Sequence, residues 1–322
     1  MNSFTNNRMK RIRRGPLTFL VYPLLALAPA FFGFKSREVE FRCFPLKRDD
    51  CRVEQGRAAA VIVTFKTPPK SVSARFSEKE VVFKKTIGDR MVFSAFIPVD
   101  RSQPAGQYLL HTMVEYDSGF ETEFLLPVFI EEKIYPVEEL TLPEDKVLLS
   151  PENLKRVLKD NRVLLSAMSE LSRTVSWEGN FVAPVPGAVT SGFGKNRIAN
   201  DIPKSPHNGV DLAAALGEEV LAANDGRVSL VYQGFLTGNS LIIDHGGGLY
   251  SIYYHLSEVG VKQGDTVKKG QAVAFAGSTG RVTGPHLHFG VRLNNVYVDP
   301  LSLLEASGWL ERTAGSLAGH RR

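Results

Sequence analysis

The chain has 322 residues, of which 43% are hydrophobic and 23% are charged. This length allows two domains with separate cores, since single domains usually run to about 100–200 residues. The composition excludes a largely disordered chain and a protein with many membrane spans. The formal net charge is +5, but five of the 39 basic residues lie before residue 15, which leaves 34 basic residues against 34 acidic ones. The rest of the chain is therefore nearly neutral, and no nucleic-acid partner is expected.

An export signal is predicted over residues 1–30. A basic stretch precedes an apolar run from Leu17 to Phe34, and Ala28-Pro29-Ala30 supplies the small residues of a cleavage site. The alternative is an uncleaved membrane anchor formed by residues 17–34, because about 20 apolar residues can span a bilayer. Both interpretations predict an exported protein of the periplasm or cell envelope.

An Ig-like β-sandwich is predicted over residues 37–132. Apolar and polar residues alternate in short segments divided by turn residues, which is the pattern of half-buried strands. The clearest segments are 61–65, 72–76, 108–116 and 124–130. About seven such strands are typical of a two-sheet sandwich.

The two cysteines, Cys43 and Cys51, lie at the start of this predicted domain. In an oxidising compartment they are expected to form one local disulfide. A metal site is the alternative, but no histidine lies near them in the sequence.

A linker with an amphipathic helix is predicted over residues 133–178. Apolar residues recur at three- and four-residue spacing, which is the helical period; they are Leu154, Val157, Leu158, Leu164, Leu165, Met168 and Leu171. Ser150 suits the N-cap, and Pro151 suits the first helical position. We expect the apolar stripe to pack into the core at the domain junction rather than to bind a partner.

Beyond Phe181 the sequence is rich in glycine and strand-like, which predicts a second β domain over residues 179–306. The candidate strands are 227–231, 240–244, 249–255, 271–276 and 287–292. Residues 307–322 are small, polar and basic, and they are expected to form a flexible tail. The predicted fold class is therefore mainly β, with a helical connector between two β domains.

Five of the seven histidines lie between residues 207 and 288. In His286-Leu287-His288 both imidazoles would project from one face of a strand, with Leu287 behind it. His207 and Asp211 form an H-x-x-x-D pattern. A catalytic zinc ion binds imidazole nitrogens and carboxylate oxygens and keeps three protein ligands and one water. His207, Asp211 and one histidine of the later pair would complete such a set.

Two further histidines have different expected roles. His255 ends a candidate strand and need not bind metal. Hydrolysis of an amide needs a proton acceptor for the attacking water and a donor for the leaving amine, which suits His255 and the remaining histidine of the H-x-H pair. His245 follows a strand within a glycine-rich turn and is expected to be structural.

The motifs of residues 180–305 occur in the order found in the lysostaphin/LytM-type zinc endopeptidases, and this region resembles that family. They are Ser191-Gly192-Phe193-Gly194, His207-x-x-x-Asp211, Tyr254-His255-Leu256, Gly264-Asp265-x-Val267-x-x-Gly270-Gln271, and Gly277-Ser278-Thr279-Gly280 leading to Thr283-Gly284-Pro285-His286-Leu287-His288. The resemblance implies that His207, Asp211 and His288 bind one zinc ion and that His255 and His286 are catalytic. It also implies an antiparallel β-fold crossed by a groove, with substrates among the stem peptides and cross-links of peptidoglycan.

Other parts of the resemblance are weaker. Asn239 resembles a substrate-binding asparagine that lines the family's groove, and a turn role is equally compatible with it. Several members carry a tyrosine just before the first ligand, but residues 198–206 contain none, so no protein residue is assigned to the oxyanion. The N-terminal part resembles the leader region of Gram-negative members, in which such domains can cover the groove. Self-occlusion of the groove is therefore a hypothesis.

Two other functions are considered. The chain could be a non-enzymatic envelope scaffold or an activator of another cell-wall hydrolase, but relatives of that kind have lost metal ligands and here the set is complete. It could instead be a secreted protease of host or prey proteins, which would use the same chemistry on another substrate. The measured zinc content would distinguish the scaffold from the zinc endopeptidase. A comparison of activity on cell-wall sacculi and on proteins would distinguish the secreted protease.

Overall fold

The computed structural model describes residues 39–47, 50–86, 91–141 and 144–318. The predicted export signal over 1–30 and the alternative anchor over 17–34 lie outside the described residues. Among the helices that are described, none combines the length and apolar character that crossing a bilayer requires.

The described elements are mostly strands, which confirms the mainly β fold class. The N-terminal strands are β1 (Val39–Phe44), β2 (Leu46–Lys47), β3 (Asp50–Glu54), β4 (Ala58–Phe65), β5 (Ser71–Phe76), β6 (Lys79–Val81), β7 (Lys84–Lys85), β8 (Met91–Pro98), β9 (Gly106–Glu115) and β10 (Glu121–Glu131). The connector contains β11 (Val137–Leu140), α1 (Glu144–Val147) and α2 (Pro151–Ala167). The C-terminal elements are β12 (Val189–Ser191), β13 (Asn196–Ala199), β14 (Ile202–Pro203), β15 (Gly209–Leu212), β16 (Glu219–Leu221), β17 (Gly226–Gly234), β18 (Gly238–Asp244), β19 (Leu249–Leu256), β20 (Glu258–Val259), β21 (Thr266–Val267), β22 (Ala272–Phe275), β23 (Leu287–Leu293), β24 (Val296–Val298) and α3 (Pro300–Ala318).

The N-terminal strands form a β-sandwich. One sheet has the order β1-β4-β8-β7 and the other has the order β2-β3-β10-β9-β5-β6. Alternate residues of both sheets, such as Phe41 and Val128, meet in one buried core, as the sequence alternation predicts. The Cys43–Cys51 disulfide is present and joins β1 to β3. The exact boundaries proposed for the domains stay predictions.

Strand β4 is buried on both of its faces. Val61 and Val63 point into the sandwich core, whereas Ala60 and Ile62 belong to the core of the C-terminal domain. Helix α3 packs against this second face, and the amide of Ala58 donates a hydrogen bond of 2.8 Å to Ser302 Oγ of the helix. The two domains therefore share one strand between two cores.

An aromatic cluster extends this shared region. The ring centroid of Phe96, on β8, lies 5.0 Å from that of Trp177 and 6.3 Å from that of Phe181. All three side chains are buried. Offset aromatic pairs at such distances add stability beyond their buried area, so the junction is a packed core and not a loose contact.

The prediction of a flexible tail over residues 307–322 is wrong for its described part, which continues α3 to its end. Leu310 and Leu317 lie on one face of the helix and are 4% and 8% exposed. Gly308 and Gly315 lower the helix propensity of this stretch. Burial of the apolar face outweighs their cost, which is about 1 kcal/mol per glycine in a helix.

Helix α2 begins as predicted and lies on the C-terminal sheet, whose main order is β12-β15-β23-β19-β18-β17-β21. Ser150 is its N-cap and accepts a 3.2 Å hydrogen bond from the amide of Asn153. Leu164 and Met168 pack onto the sheet. The expected packing of the apolar stripe into the core is only partial, however, because its remaining leucines are exposed; they are Leu154, Leu158, Leu165 and Leu171.

Candidate metal centre and groove

Neighbouring strands of the C-terminal sheet align four side chains in one row. Ser191 of β12 is in register with Asp211 of β15, Asp211 with His288 of β23, and His288 with Tyr254 of β19. Residues in register across neighbouring strands lie on the same face of a sheet. Leu287 points the other way into the core, as the sequence predicts.

A loop brings His207 to this row. The amide of His207 donates to the carbonyl oxygen of Lys195 at 3.0 Å, and the amide of Gly194 donates to the carbonyl oxygen of His207 at 2.8 Å. These paired backbone bonds hold the glycine-rich loop after β12 against the histidine. In the H-x-x-x-D pattern, His207 therefore lies in a loop and Asp211 lies on strand β15.

Three donor atoms meet where the loop and the row come together. His207 Nε2, Asp211 Oδ1 and His288 Nδ1 lie 2.9–3.0 Å from one another. Two ligands bound at about 2.0–2.1 Å in a tetrahedral shell are about 3.3 Å apart, so this spacing fits one small cation. Within the part of the chain that the structure describes, this is the only group with metal-ligand spacing.

Surrounding groups orient the three donors. His207 Nδ1 donates to the carbonyl oxygen of Gly192 at 2.9 Å, which leaves Nε2 with its lone pair directed at the other donors. The Tyr254 ring stacks on the His288 ring with centroids 5.4 Å apart. A Cβ on Gly209 would lie 2.7 Å from His288 Nε2 and 2.5 Å from the carbonyl oxygen of Phe289. Glycine is therefore required beside His288.

The charge of Asp211 suits a metal site. Burial alone would raise the pKa of its carboxyl, but hydrogen bonds with His207 and His288 hold that pKa well below its ordinary value. The group is therefore an anion in the folded protein. Two imidazoles and one carboxylate form a set that zinc commonly takes in hydrolases.

His255 and His286 lie together beside the donor triangle. Their ring centroids are 5.0 Å apart, and His286 Nε2 is 3.8 Å from Asp211 Oδ1. Each ring donates from Nδ1 to a backbone carbonyl oxygen at 2.9 Å, that of Thr279 for His255 and that of Gly284 for His286. In the neutral form of each ring, Nε2 therefore carries the lone pair. Burial, with the nearby His288 and His286, lowers the pKa of His255 to about 3.

These side chains line a groove made of two adjoining cavities of about 650 and 460 Å³. Five residues line both cavities and so mark the boundary between them: Leu140, Arg197, Asp211, Thr283 and His286. Asn239 is not among the lining residues, and its side-chain amide donates to the carbonyl oxygen of Ser257 at 3.0 Å. Its substrate-binding role stays a prediction.

Charged side chains that no sequence motif indicates lie behind the triangle. Arg197 Nη2 donates to Asp211 Oδ2 at 2.7 Å, and Arg197 Nε donates to Glu138 Oε2 at 2.8 Å. Glu138 Oε1 also accepts from Lys195 Nζ at 2.7 Å. Arg281 lines the second cavity, where burial and the charge of Arg197 lower its pKa. Only the closeness of Arg197 to the Ser-Gly-Phe-Gly motif could have drawn attention to this group.

His245 lies outside the groove, as predicted for a structural residue. Its Nδ1 is 2.7 Å from the carbonyl oxygen of Asp225, and its Nε2 is 2.8 Å from Ser251 Oγ. Burial lowers its pKa to about 4. The imidazole is fully enclosed, so it serves the fold.

Comparisons with known proteins match the same region. Residues 205–300 match the model of Peptidase family M23. The chain is 42% identical over 116 residues to peptidoglycan DD-endopeptidase ShyB of Vibrio cholerae, which is 35% of this chain and 27% of that protein. It is 41% identical over 97 residues to DD-carboxypeptidase/endopeptidase Mpg of Neisseria meningitidis, which is 30% of this chain and 22% of that protein. The chain thus spans about a quarter of the length of these curated relatives.

A solved structure resembles more of the chain. A crystal structure from Pseudomonas aeruginosa assigned to peptidase M23 has a TM-score of 0.58 and 27% sequence identity, and the match covers 77% of this chain and 93% of that one. This coverage is larger than the C-terminal domain. The similarity therefore includes part of the N-terminal region.

Proposed function

We propose that this chain, whose residues 205–300 form a domain of peptidase family M23, is a zinc-dependent endopeptidase that hydrolyses the peptide cross-links of bacterial peptidoglycan. The observation that carries the proposal is the buried triangle of His207, Asp211 and His288 at the floor of a groove. The names of the peptidoglycan endopeptidases to which this segment is similar support the substrate class.

One zinc ion held by His207, Asp211 and His288 would polarise the scissile carbonyl and lower the pKa of the attacking water. The chain's own residues would do the rest. His255 and His286 present Nε2 as proton acceptors, because Nδ1 of each donates to a backbone carbonyl. They can therefore take the proton of the water and return it to the leaving amine. The roles of the two histidines are proposed as a pair.

Metal content and activity on purified sacculi test this function together. The wild type should contain about one zinc ion per chain and release cross-linked muropeptides. His288→Ala should lose the metal, and His286→Ala should keep the metal but lose activity. The control is His111→Ala, because His111 is an exposed residue of β9 in the other domain. A wild type that binds no zinc and leaves sacculi intact would support the scaffold function instead.

We also propose that the protein is exported to the periplasm or cell envelope. The basic and apolar N-terminal sequence supports export, and so does the similarity to cell-wall enzymes. If the signal is cleaved, the mature protein lacks about the first 30 residues. If residues 17–34 are a membrane anchor, the protein keeps them. The N-terminal residue of the protein recovered from cells distinguishes them.

Partial self-occlusion of the groove is a further part of the proposal. Leu140, on the connector strand β11, lines both cavities at their boundary, as do Asp211 and His286. In the full-length chain, Leu140→Ala should speed muropeptide release, while Val137→Ala, an exposed position on the same strand, should not. Equal rates for Leu140→Ala and the wild type would contradict occlusion by this residue.

A further inference from the structure

The connector reaches the metal centre through one pair of side chains. Strand β11 runs parallel to β13, and Glu138 is in register with Arg197. This pairing places a residue outside the matched family segment beside a group that contacts Asp211. Both side chains are largely enclosed, with 16% of Glu138 and 22% of Arg197 exposed.

Arg197 contacts the two carboxylates through different atoms of its guanidinium. Nε donates to Glu138 Oε2 at 2.8 Å, and Nη2 donates to Asp211 Oδ2 at 2.7 Å. The guanidinium is planar and rigid, so the bond to Glu138 fixes the direction of the bond to Asp211. Because Oδ2 of Asp211 is engaged by Arg197, Oδ1 is the oxygen that faces His207 and His288.

The charges around Arg197 also balance. Burial alone would raise the pKa of Glu138, but Lys195, Ser191 and Arg197 lower it to about 2, so the side chain is an anion. The cations of Lys195 and Arg197 thus face the anions of Glu138 and Asp211. Loss of the Glu138 charge would leave one net positive charge beside a site that binds a cation, which opposes metal binding.

We propose that Glu138 and Arg197 are positioning residues of the metal centre, and that the connector strand β11 thereby completes the peptidase site. Glu138 holds Arg197, and Arg197 holds Asp211 so that Oδ1 alone faces the metal. The inference rests on the proposed function, because it assumes a metal ion at the triangle. It gives β11 a supporting role that is separate from the occlusion of the groove proposed for Leu140.

The test measures the zinc affinity of the full-length chain, by competition between the metal-free protein and a chromophoric chelator. Glu138→Gln keeps the size of the side chain and removes its charge. Glu139→Gln is the matched control, because Glu139 is the next residue of β11 and is exposed. Arg197→Met and the double variant Glu138→Gln/Arg197→Met complete a double-mutant cycle. Thermal unfolding shows whether each variant is folded.

Groups that orient metal ligands typically contribute about 10- to 100-fold to metal affinity. Glu138→Gln and Arg197→Met should therefore each weaken zinc binding by about 10-fold or more, and Glu139→Gln should not. In the Arg197→Met background, Glu138→Gln should have a clearly smaller effect, because only the loss of charge remains and the contact through Arg197 is already absent. The visible spectrum of the cobalt-substituted protein should change in Glu138→Gln and stay unchanged in Glu139→Gln.

Three results would overturn the inference. Wild-type zinc affinity in Glu138→Gln, with one zinc bound by the wild type, would overturn it and leave the proposed function standing. The same loss of affinity on Glu138→Gln with and without Arg197 would show that Glu138 acts by another route. A wild type that binds no zinc would overturn the proposed function and this inference together.

Discussion

His245 ends a buried hydrogen-bond chain, and burial favours the neutral form of its imidazole. The amide of Ala223 donates to Tyr253 Oη, and Tyr253 Oη is bonded to Ser251 Oγ, both at 2.9 Å. Ser251 Oγ is bonded to His245 Nε2 at 2.8 Å, while Nδ1 donates to the carbonyl oxygen of Asp225. A proton on Nε2 would place a charge in the core, where burial opposes it, so acid should destabilise the fold through this residue.

The sign and size of the effect follow from the pKa of His245. It is lowered from 6.5 to about 4 by burial, so between these values the unfolded chain binds a proton that the folded chain does not. Stability therefore falls as the pH falls through this range. The loss is about 2 kcal/mol between pH 8 and pH 5 and about 3 kcal/mol by pH 4, at about 1.4 kcal/mol for each pKa unit.

Urea unfolding at pH 8 and pH 5 measures this contribution in the wild type, His245→Gln and His111→Gln. The His245→Gln protein should be less stable at pH 8, yet lose about 2 kcal/mol less than the wild type on acidification. His111→Gln, at an exposed position, should follow the wild type. The metal-site histidines are present in all three proteins, so their titration cancels in the comparison. An equal loss in His245→Gln and the wild type would refute the reasoning.

Three other changes have defined outcomes. Gly209→Ala should greatly reduce zinc binding by displacing His288, whereas Gly192→Ala, where a Cβ meets nothing within 4 Å, should keep most of it; equal metal content in the two variants would contradict the steric argument. Ser150→Ala should cost about 1 kcal/mol in urea unfolding by removing the N-cap of α2, and no change would show that the cap is replaced by water. Phe96→Ala should cost about 3–5 kcal/mol by opening a cavity at the domain junction, and it should do so in one unfolding transition; two separated transitions would show that the domains unfold independently.

The histidine positions could be predicted from the sequence because their signals are local. His286 and His288 alternate on one strand, and His207 and Asp211 are four residues apart, so each pair can be recognised within its own segment. The meeting of the two pairs across 77–81 residues, with His288 as the third donor, is implied only by the resemblance to the lysostaphin/LytM-type family. The roles of Glu138 and Arg197 could not be predicted in this way. They are 59 residues apart in the sequence, and they meet because two short strands pair in parallel, which no local pattern encodes.

The end of α3 and the stripe of α2 differ from the predictions because their burial depends on long-range packing. The described part of the supposed tail is helical because Leu310 and Leu317 find a buried surface, and its glycines suggest the opposite locally. The stripe of α2 has the expected period, but the sheet beneath the helix covers only the face that contains Leu164 and Met168. The helical period of the apolar residues predicts which of them share a face of the helix. The neighbouring sheet determines how much of that face is buried.

The strand shared between two cores also determines what a single break in the chain would do. A protease that cut once within residues 133–141, in the connector, would leave two pieces joined by β4, α3 and the cluster of Phe96 and Trp177. The pieces should elute together from a sizing column and separate only in denaturant. Nicking would therefore not release a free C-terminal domain, and shedding of the N-terminal sandwich would require its unfolding.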